Sequence, residues 1–246
     1  MPDWLLETRL LTKRFKGLVA VDHVNFHLSR GQLYAIIGPN GAGKTTFFNL
    51  ITGRLSSTEG QTFFQGQEIT HLPPDGISKK GIARTFQITS IFPDLTVREN
   101  IWIGALSRKK FVNPLLDSSQ IHDLRSKTDE ILALVNLQDT QSMLAENLSH
   151  GDQRLLEIGI GLSTDPQLLL LDEPTAGMSA EESFRTAERI KKLSERITIL
   201  IIEHDMDIVM GIADFITVFD QGKVIAEGPP ALIQENLEVQ EVYLGT

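Results

Sequence analysis

The sequence predicts an α/β fold: a core built on a mainly parallel sheet, a small N-terminal antiparallel β part and an inserted helical block. Three observations predict it. Short apolar runs at 32–37, 167–171, 197–202 and 214–219 alternate with helical patterns at 43–53, 180–195 and 205–213, and such alternation builds parallel sheets covered by helices. The leucines at 168–171 are apolar without alternation, which marks a strand buried on both faces. Between about 88 and 163 the strand pattern vanishes.

Taken in order, the stretch 8–35 is strand-rich, with a clear run at 18–28, and reads as the antiparallel part. The strand at 32–37 feeds a helix at 43–53, and another strand follows at 61–65. Helical patterns then occupy 96–107, 118–136 and 152–164. Strand–helix alternation resumes from 167 and closes with strands at 214–219 and 223–227. No repeat, low-complexity tract or Gly/Ser linker divides the chain. One domain of 246 residues is therefore expected, with 1–87 and 164–246 as the core and about 88–163 as a helical subdomain.

Composition narrows the function. A formal charge of −9 opposes a sequence-independent grip on nucleic acid, which needs clustered Lys and Arg, and opposes direct adhesion to an anionic membrane. There is no cysteine, hence no disulfide framework and no thiolate chemistry, as in the cytosol. The start, "MPDWLLETRL", lacks a basic segment followed by an apolar run, so no signal peptide is expected. The apolar runs "LLLL" and "ILII" fall far short of the roughly 20 residues that cross a membrane.

The strongest motif is "YAIIGPNGAGKTT". A buried strand, Leu33 to Ile37, runs into Gly38-Pro39-Asn40-Gly41-Ala42-Gly43-Lys44-Thr45 and then a helix. This is G-x-x-x-x-G-K-[ST] in the context the motif requires, a P-loop. Its glycines let backbone N–H groups curl around phosphate oxygens, and the helix adds its positive end. Lys44 can neutralise β- and γ-phosphates, Thr45 can ligate Mg²⁺ and Thr46 can reach the α-phosphate. A nucleoside triphosphate is the expected ligand.

In "LLLLDEPT" the buried strand leaves Asp172 and Glu173 at its end, where open α/β sheets place ligands. Asp172 suits a water-mediated Mg²⁺ contact, and Glu173 can orient or deprotonate an attacking water. "ITILIIEHD" ends in the same way, which puts His204 at the same rim, within reach of a γ-phosphate. An acid pair taken alone would serve equally as a surface turn, and the P-loop in the same chain decides for the site. A lone histidine at a strand end is more often a surface residue, and the parallel with Glu173 reverses that. His23, His27, His71 and His122 form no metal-ligand grouping.

The order P-loop, "RTFQ" (84–87), "LSHGD" (148–152), "LLLLDE" and "EHD" resembles the nucleotide-binding subunits of ABC transporters over nearly the whole chain. The resemblance implies a P-loop NTPase core that hydrolyses ATP with Mg²⁺. It implies that Gln87 links Mg²⁺ and the γ-phosphate to the helical subdomain. It also implies that Phe15 stacks on adenine with Val21 beside it, and that Ser149, Gly151 and Asp152 meet the ATP of a second subunit. The segments "LTKRFKGLVAVDHVNF", "RTFQITSIFPDLTVRENI" and "EVQEVYLGT" resemble the importer branch for branched-chain amino acids, urea and short amides. "LSHG…EIG" and "AGM" lean toward its urea and amide members. Such systems join two ATPase subunits, alike or different, to two membrane-spanning permeases and a solute-binding protein, at the cytoplasmic face of the inner membrane. The alternative reading is a soluble ABC ATPase in a non-transport assembly.

By the same resemblance, "IFPDL" lines the groove for a cytoplasmic helix of the permease. The sequence departs from the family at two places. L-S-G-G-Q carries His150 and Asp152 at its third and fifth positions, and S-A-L-D becomes Ala176-Gly177-Met178-Ser179. A carboxylate competes with phosphate at a helix start, so Asp152 is expected to face the partner's ribose.

Overall fold

The computed structural model describes residues 4–85, 91–107 and 118–244. β1 (Leu6–Phe15) and β2 (Leu18–Leu28) form a hairpin, and β3 (Leu33–Ile37) leads through the P-loop into α1 (Lys44–Ile51). β4 (Glu59–Phe64), β5 (Gln67–Glu68), α2 (Pro74–Lys80) and β6 (Ile82–Arg84) follow. The middle holds α3 (Val97–Leu106), α4 (Ser118–Leu134) and α5 (His150–Leu162). Then come β7 (Leu168–Asp172), α6 (Ala180–Ser194), β8 (Thr198–Ile202), α7 (Met206–Ile212), β9 (Phe215–Asp220), β10 (Lys223–Gly228), α8 (Pro230–Gln234) and α9 (Leu237–Leu244).

Two sheets result. The smaller has the order β2-β1-β4-β5 and is antiparallel throughout. The larger has the order β10-β9-β3-β8-β7-β6; its members are parallel except β10, which runs antiparallel to β9.

Alternation along the fully buried central strands divides the core in two. Tyr34, Ile36, Leu168, Leu170, Leu200 and Ile202 face α1 and the antiparallel sheet, packing with Phe47, Phe48, Val24 and Phe26. Leu33, Ala35, Ile37, Leu169, Leu171, Ile199 and Ile201 face the other way, toward Ile101 of α3, Ile131 of α4, Leu155 and Ile158 of α5 and Ile190 of α6. A strand covered on both sides has no polar face to show, which is why these segments read as continuous apolar runs. Among the described residues no helix is long and apolar enough to cross a membrane.

The middle block is helical as expected: its described residues hold α3, α4 and α5, and no strand beyond one bridge between Thr96 and Leu144. α3 starts at a capping box of Thr96 and Glu99, the arrangement that satisfies helix-start N–H groups reciprocally. The "IFPDL" segment before it is pinned by the buried Asn100. The Asn100 side chain accepts from the Phe92 N–H at 2.7 Å and donates to the carbonyls of Phe92, Leu95 and Thr96. Phe92 itself is 49% exposed.

Some elements differ from expectation. β6 is a three-residue edge strand paired in parallel with β7, too short to leave a period in the sequence. β3, although within the strand-rich start, joins the parallel sheet beside β8 and β9. The short α2, α8 and α9 also lack a distinct pattern.

Pairing places the site. β3 lies beside β8 and β8 beside β7, all parallel, with Ile36 opposite Ile202 and Asp172 opposite Ile202. The loops after Ile37, Asp172 and Ile202 therefore leave the sheet side by side.

Candidate nucleotide site

The P-loop curls because two of its glycines allow no substitute. Gly38 has φ +147° and Gly43 has φ +102°, values that side-chain-bearing residues rarely adopt. A Cβ on Gly38 would lie 2.1 Å from the Phe219 carbonyl oxygen, and one on Gly43 would lie 2.3 Å from that of Ala20. The loop is thus wedged between β9 and the start of β2. Gly43 precedes α1 without a side-chain cap, so the helix N–H groups stay directed at the cleft.

That cleft, of about 620 Å³, is lined by Phe15, Asn40, Gly41, Ala42, Gly43, Lys44, Thr45, Thr46, Glu173 and His204, together with Leu18, Val19, Ala20 and Gln221. Residues far apart in sequence meet there. The buried Lys44 ammonium donates to the carbonyls of Gly38 at 2.6 Å and Pro39 at 2.9 Å. Burial holds its pKa below the ordinary lysine range, with the nearby Glu173 and Asp172 carboxylates opposing the shift. Phe15 is 41% exposed, with the Lys13 ammonium 5.2 Å from its ring centre. It stands on the rim of the cleft and not in the core.

Val21 is a correction. It is fully buried and packs in the core between the two sheets, while its neighbours Val19 and Ala20 line the cleft. The pairing of β2 with β1 shifts register between Val21 and Val19, so Val21 faces the core although Val19, two residues away, lines the cleft.

At the far wall, His204 Nε2 and Glu173 Oε1 are 2.6 Å apart. Glu173 follows β7 with φ +47°, in the left-handed region, and its N–H donates to the Ile202 carbonyl. Behind it lies Asp172, only 3% exposed. One Asp172 oxygen, Oδ2, accepts from Arg84 Nη2 at 2.7 Å, and Arg84 Nη1 also reaches Asn49 Oδ1 at the end of α1. The buried Glu203 accepts from the Thr175 hydroxyl at 2.6 Å and the Thr175 N–H, and its other oxygen accepts from the His204 N–H. Arg84 and Glu203 lay inside motifs already singled out, yet their partners are 88 and 28 residues away. Gln87 lies outside the described residues.

The "LSHGD" loop is elsewhere. Ser149 caps α5, accepting from the Asp152 N–H at 3.2 Å and donating to Asp152 Oδ2 at 3.1 Å. Asp152 Oδ1 is 3.5 Å from Arg189 Nη1. Ser149, Gly151 and Asp152 line a separate small concavity with Glu182, Arg185, Thr186 and Arg189. Its lining has no residue in common with the P-loop cleft. Ser179 caps α6 in a capping box with Glu182.

The family profile described as ABC transporter matches residues 21–176. The chain belongs to the ABC transporter family. A second profile, for branched-chain amino acid ATP-binding cassette transporters, matches residues 223–246. The chain is 40% identical to the high-affinity branched-chain amino acid transport ATP-binding protein BraF of Pseudomonas aeruginosa, over 98% of each chain. It is 39% identical to LivG of Escherichia coli, a protein of the same description, over 100% of this chain and 99% of that one. A nucleotide-free ATP-binding cassette from an ABC transporter superposes with TM-score 0.85 at 33% identity, covering 99% of this chain and all of the other. A cassette in its ADP conformation gives TM-score 0.87 at 33% identity, with 99% of each chain covered. The cleft that gathers the P-loop, Glu173 and His204 thus belongs to an ABC-type ATP-binding cassette.

Proposed function

We propose that the chain is the ATP-hydrolysing subunit that powers an importer for branched-chain amino acids. Both sequence relatives named above carry that solute in their descriptions, and a profile of that branch matches residues 223–246. This outweighs the urea-like wording of "LSHG…EIG". The observation that carries the mechanism is the separation of the P-loop cleft from the Ser149 loop on one chain. Each surface is half a site, so two subunits must face each other to complete two sites, as a homodimer or with a similar ATPase subunit. The core, 1–87 and 164–246, holds the triphosphate, and the arm, about 88–163, presents Ser149 and Gly151 to the partner's γ-phosphate.

Within each site the P-loop amides and Lys44 hold the phosphates and Thr46 contacts the α-phosphate, while Phe15 stacks on the base, a contact worth roughly 1–3 kcal/mol. Glu173, oriented by His204, positions and deprotonates the attacking water. The residues fit Mg²⁺. Thr45 lines the cleft, and the single carboxylate of Asp172, held by Arg84, lies near Lys44 of the P-loop. That suits an ion that keeps its waters and binds through one carboxylate and the phosphates. Thr45, Asp172 and Gln87 would hold it, and it would neutralise charge on the β- and γ-oxygens.

Contacts that exist only with the γ-phosphate present close the dimer, and hydrolysis releases it. Asp152, anchored by Ser149 and Arg189 at the edge of the half-site, faces the partner's ribose. The subunit acts at the cytoplasmic face of the inner membrane through two permeases, served by a solute-binding protein and without nucleic acid. The test is uptake. Co-expressed with its permeases and binding protein, the chain is expected to drive ATP-dependent accumulation of leucine, isoleucine or valine. Accumulation of urea or short amides instead would overturn the assigned solute.

A further inference from the structure

We propose that Arg154 is a positioning residue that ties the Ser149 loop of each chain to the catalytic carboxylate of that same chain. The inference rests on the two-subunit reading above and adds to it how one half-site informs the other. Arg154 lies on α5, little more than one turn beyond the capping Ser149, and is only 8% exposed. Its Nη2 donates to the Asp172 carbonyl at 2.7 Å and the Glu173 carbonyl at 3.0 Å, and its Nη1 donates to Glu157 Oε2 at 2.6 Å. One guanidinium thus clamps the backbone that carries both acids, while a carboxylate one turn along the same helix fixes the guanidinium.

The clamp sits where the backbone needs holding. Glu173 is at φ +47°, a conformation that a residue with a side chain keeps only where its surroundings over-determine it. The Glu173 carbonyl receives the Ala176 N–H as well as Arg154, and its N–H is bound to β8. The direction of the Glu173 carboxylate, 2.6 Å from His204, follows from that backbone setting. α5 is a continuous helix of 13 residues, so a shift of its N-terminus when Ser149 meets the partner's γ-phosphate moves Arg154 with it. Each chain's general base is thereby set by occupancy of the other chain's P-loop. A guanidinium is suited to this because its planar fork spans two carbonyls while holding a carboxylate.

The experiment compares the full-length chain with Arg154→Met, Arg154→Lys and the double variant Arg154→Met/Glu157→Leu. The double variant removes both charges of the buried pair, so it serves if Arg154→Met alone does not fold. Three quantities are read: ATP binding to the isolated chain, ATP-dependent dimerisation in a Glu173→Gln background, and kcat against KM. The expected result is a kcat roughly 10- to 100-fold lower, the loss that a misplacement of about 1 Å brings. KM and dimerisation should stay within about threefold, and Arg154→Lys should recover part of kcat. An unchanged kcat, or a loss of kcat matched by an equal loss of dimerisation, would overturn the proposal. If the Glu173→Gln parent does not dimerise with ATP, the two-subunit reading has failed and this inference with it. A parent that dimerises beside an Arg154→Met with normal kcat refutes this inference alone.

Discussion

Removing the Arg84 guanidinium tests how the sheet edge supports the site. The pair it forms with Asp172 is almost fully buried, with side chains 7% and 4% exposed and a distance of 2.7 Å. Burial lowers the Arg84 pKa and the hydrogen bond from Arg84 to Asp172 opposes that shift. Arg84→Met keeps most of the stem's packing against Phe48, whose ring centre lies 5.5 Å from Arg84 Cζ, but it strands a buried carboxylate. Breaking a buried pair from one side costs about 3–5 kcal/mol. Lys44 remains near Asp172, so the lower figure applies. For a domain of this size each kcal/mol lowers Tm by about 2–4 °C, which predicts a fall of roughly 6–12 °C. Arg84→Met/Asp172→Leu removes both charges and should recover most of the loss, giving a coupling of about 2 kcal/mol in a double-mutant cycle. Urea unfolding of the four proteins, followed by tryptophan fluorescence, supplies the values. A loss below about 1 kcal/mol for Arg84→Met, or strict additivity in the cycle, would refute the reasoning.

Gly43→Ala puts a methyl group 2.3 Å from the Ala20 oxygen at φ +102°. The P-loop must shift, and kcat/KM for ATP is expected to fall about 100-fold, the rate loss that a misplacement near 1 Å brings; an unchanged kcat/KM would contradict this. The Ser179–Glu182 capping box gives a pH signature. The Ser179 hydroxyl and N–H bonds hold the Glu182 carboxyl below its ordinary value of 4.5, so its stabilisation is complete above that pH and is lost as pH falls through the lowered value. The Tm difference between wild type and Ser179→Ala should therefore be constant near neutrality and shrink in acid. A difference that grows in acid has the wrong sign.

The sequence announces what is local. The P-loop lies in one run from Gly38 to Thr45 with its strand and helix attached, and β3, β7 and β8 are buried on both faces, so each reads as unbroken apolar residues. The cap at Ser149 is local in the same way, because its partner Asp152 is three residues away. What escaped depends on distant pairing. Arg84 finds Asp172 across 88 residues, and Arg154 finds the carbonyls of Asp172 and Glu173; no spacing encodes a side chain bonded to a backbone oxygen. Val21 was misplaced because the choice of face on β2 is fixed by register with β1, where Lys13 pairs with Val21 between shifts in pairing. The left-handed backbone at Glu173, before a proline, likewise has no signature in residue type.

The central claim is that two copies of this nucleotide site are completed only between subunits. Glu173→Gln removes the carboxylate and keeps the hydrogen-bonding shape, so the mass of this variant by light scattering, with and without saturating ATP and Mg²⁺, tests it most directly. The account predicts a monomer without nucleotide, a stable dimer with ATP, and turnover far below wild type. A protein that stays monomeric in saturating ATP, or one that hydrolyses ATP near the wild-type rate, would contradict it.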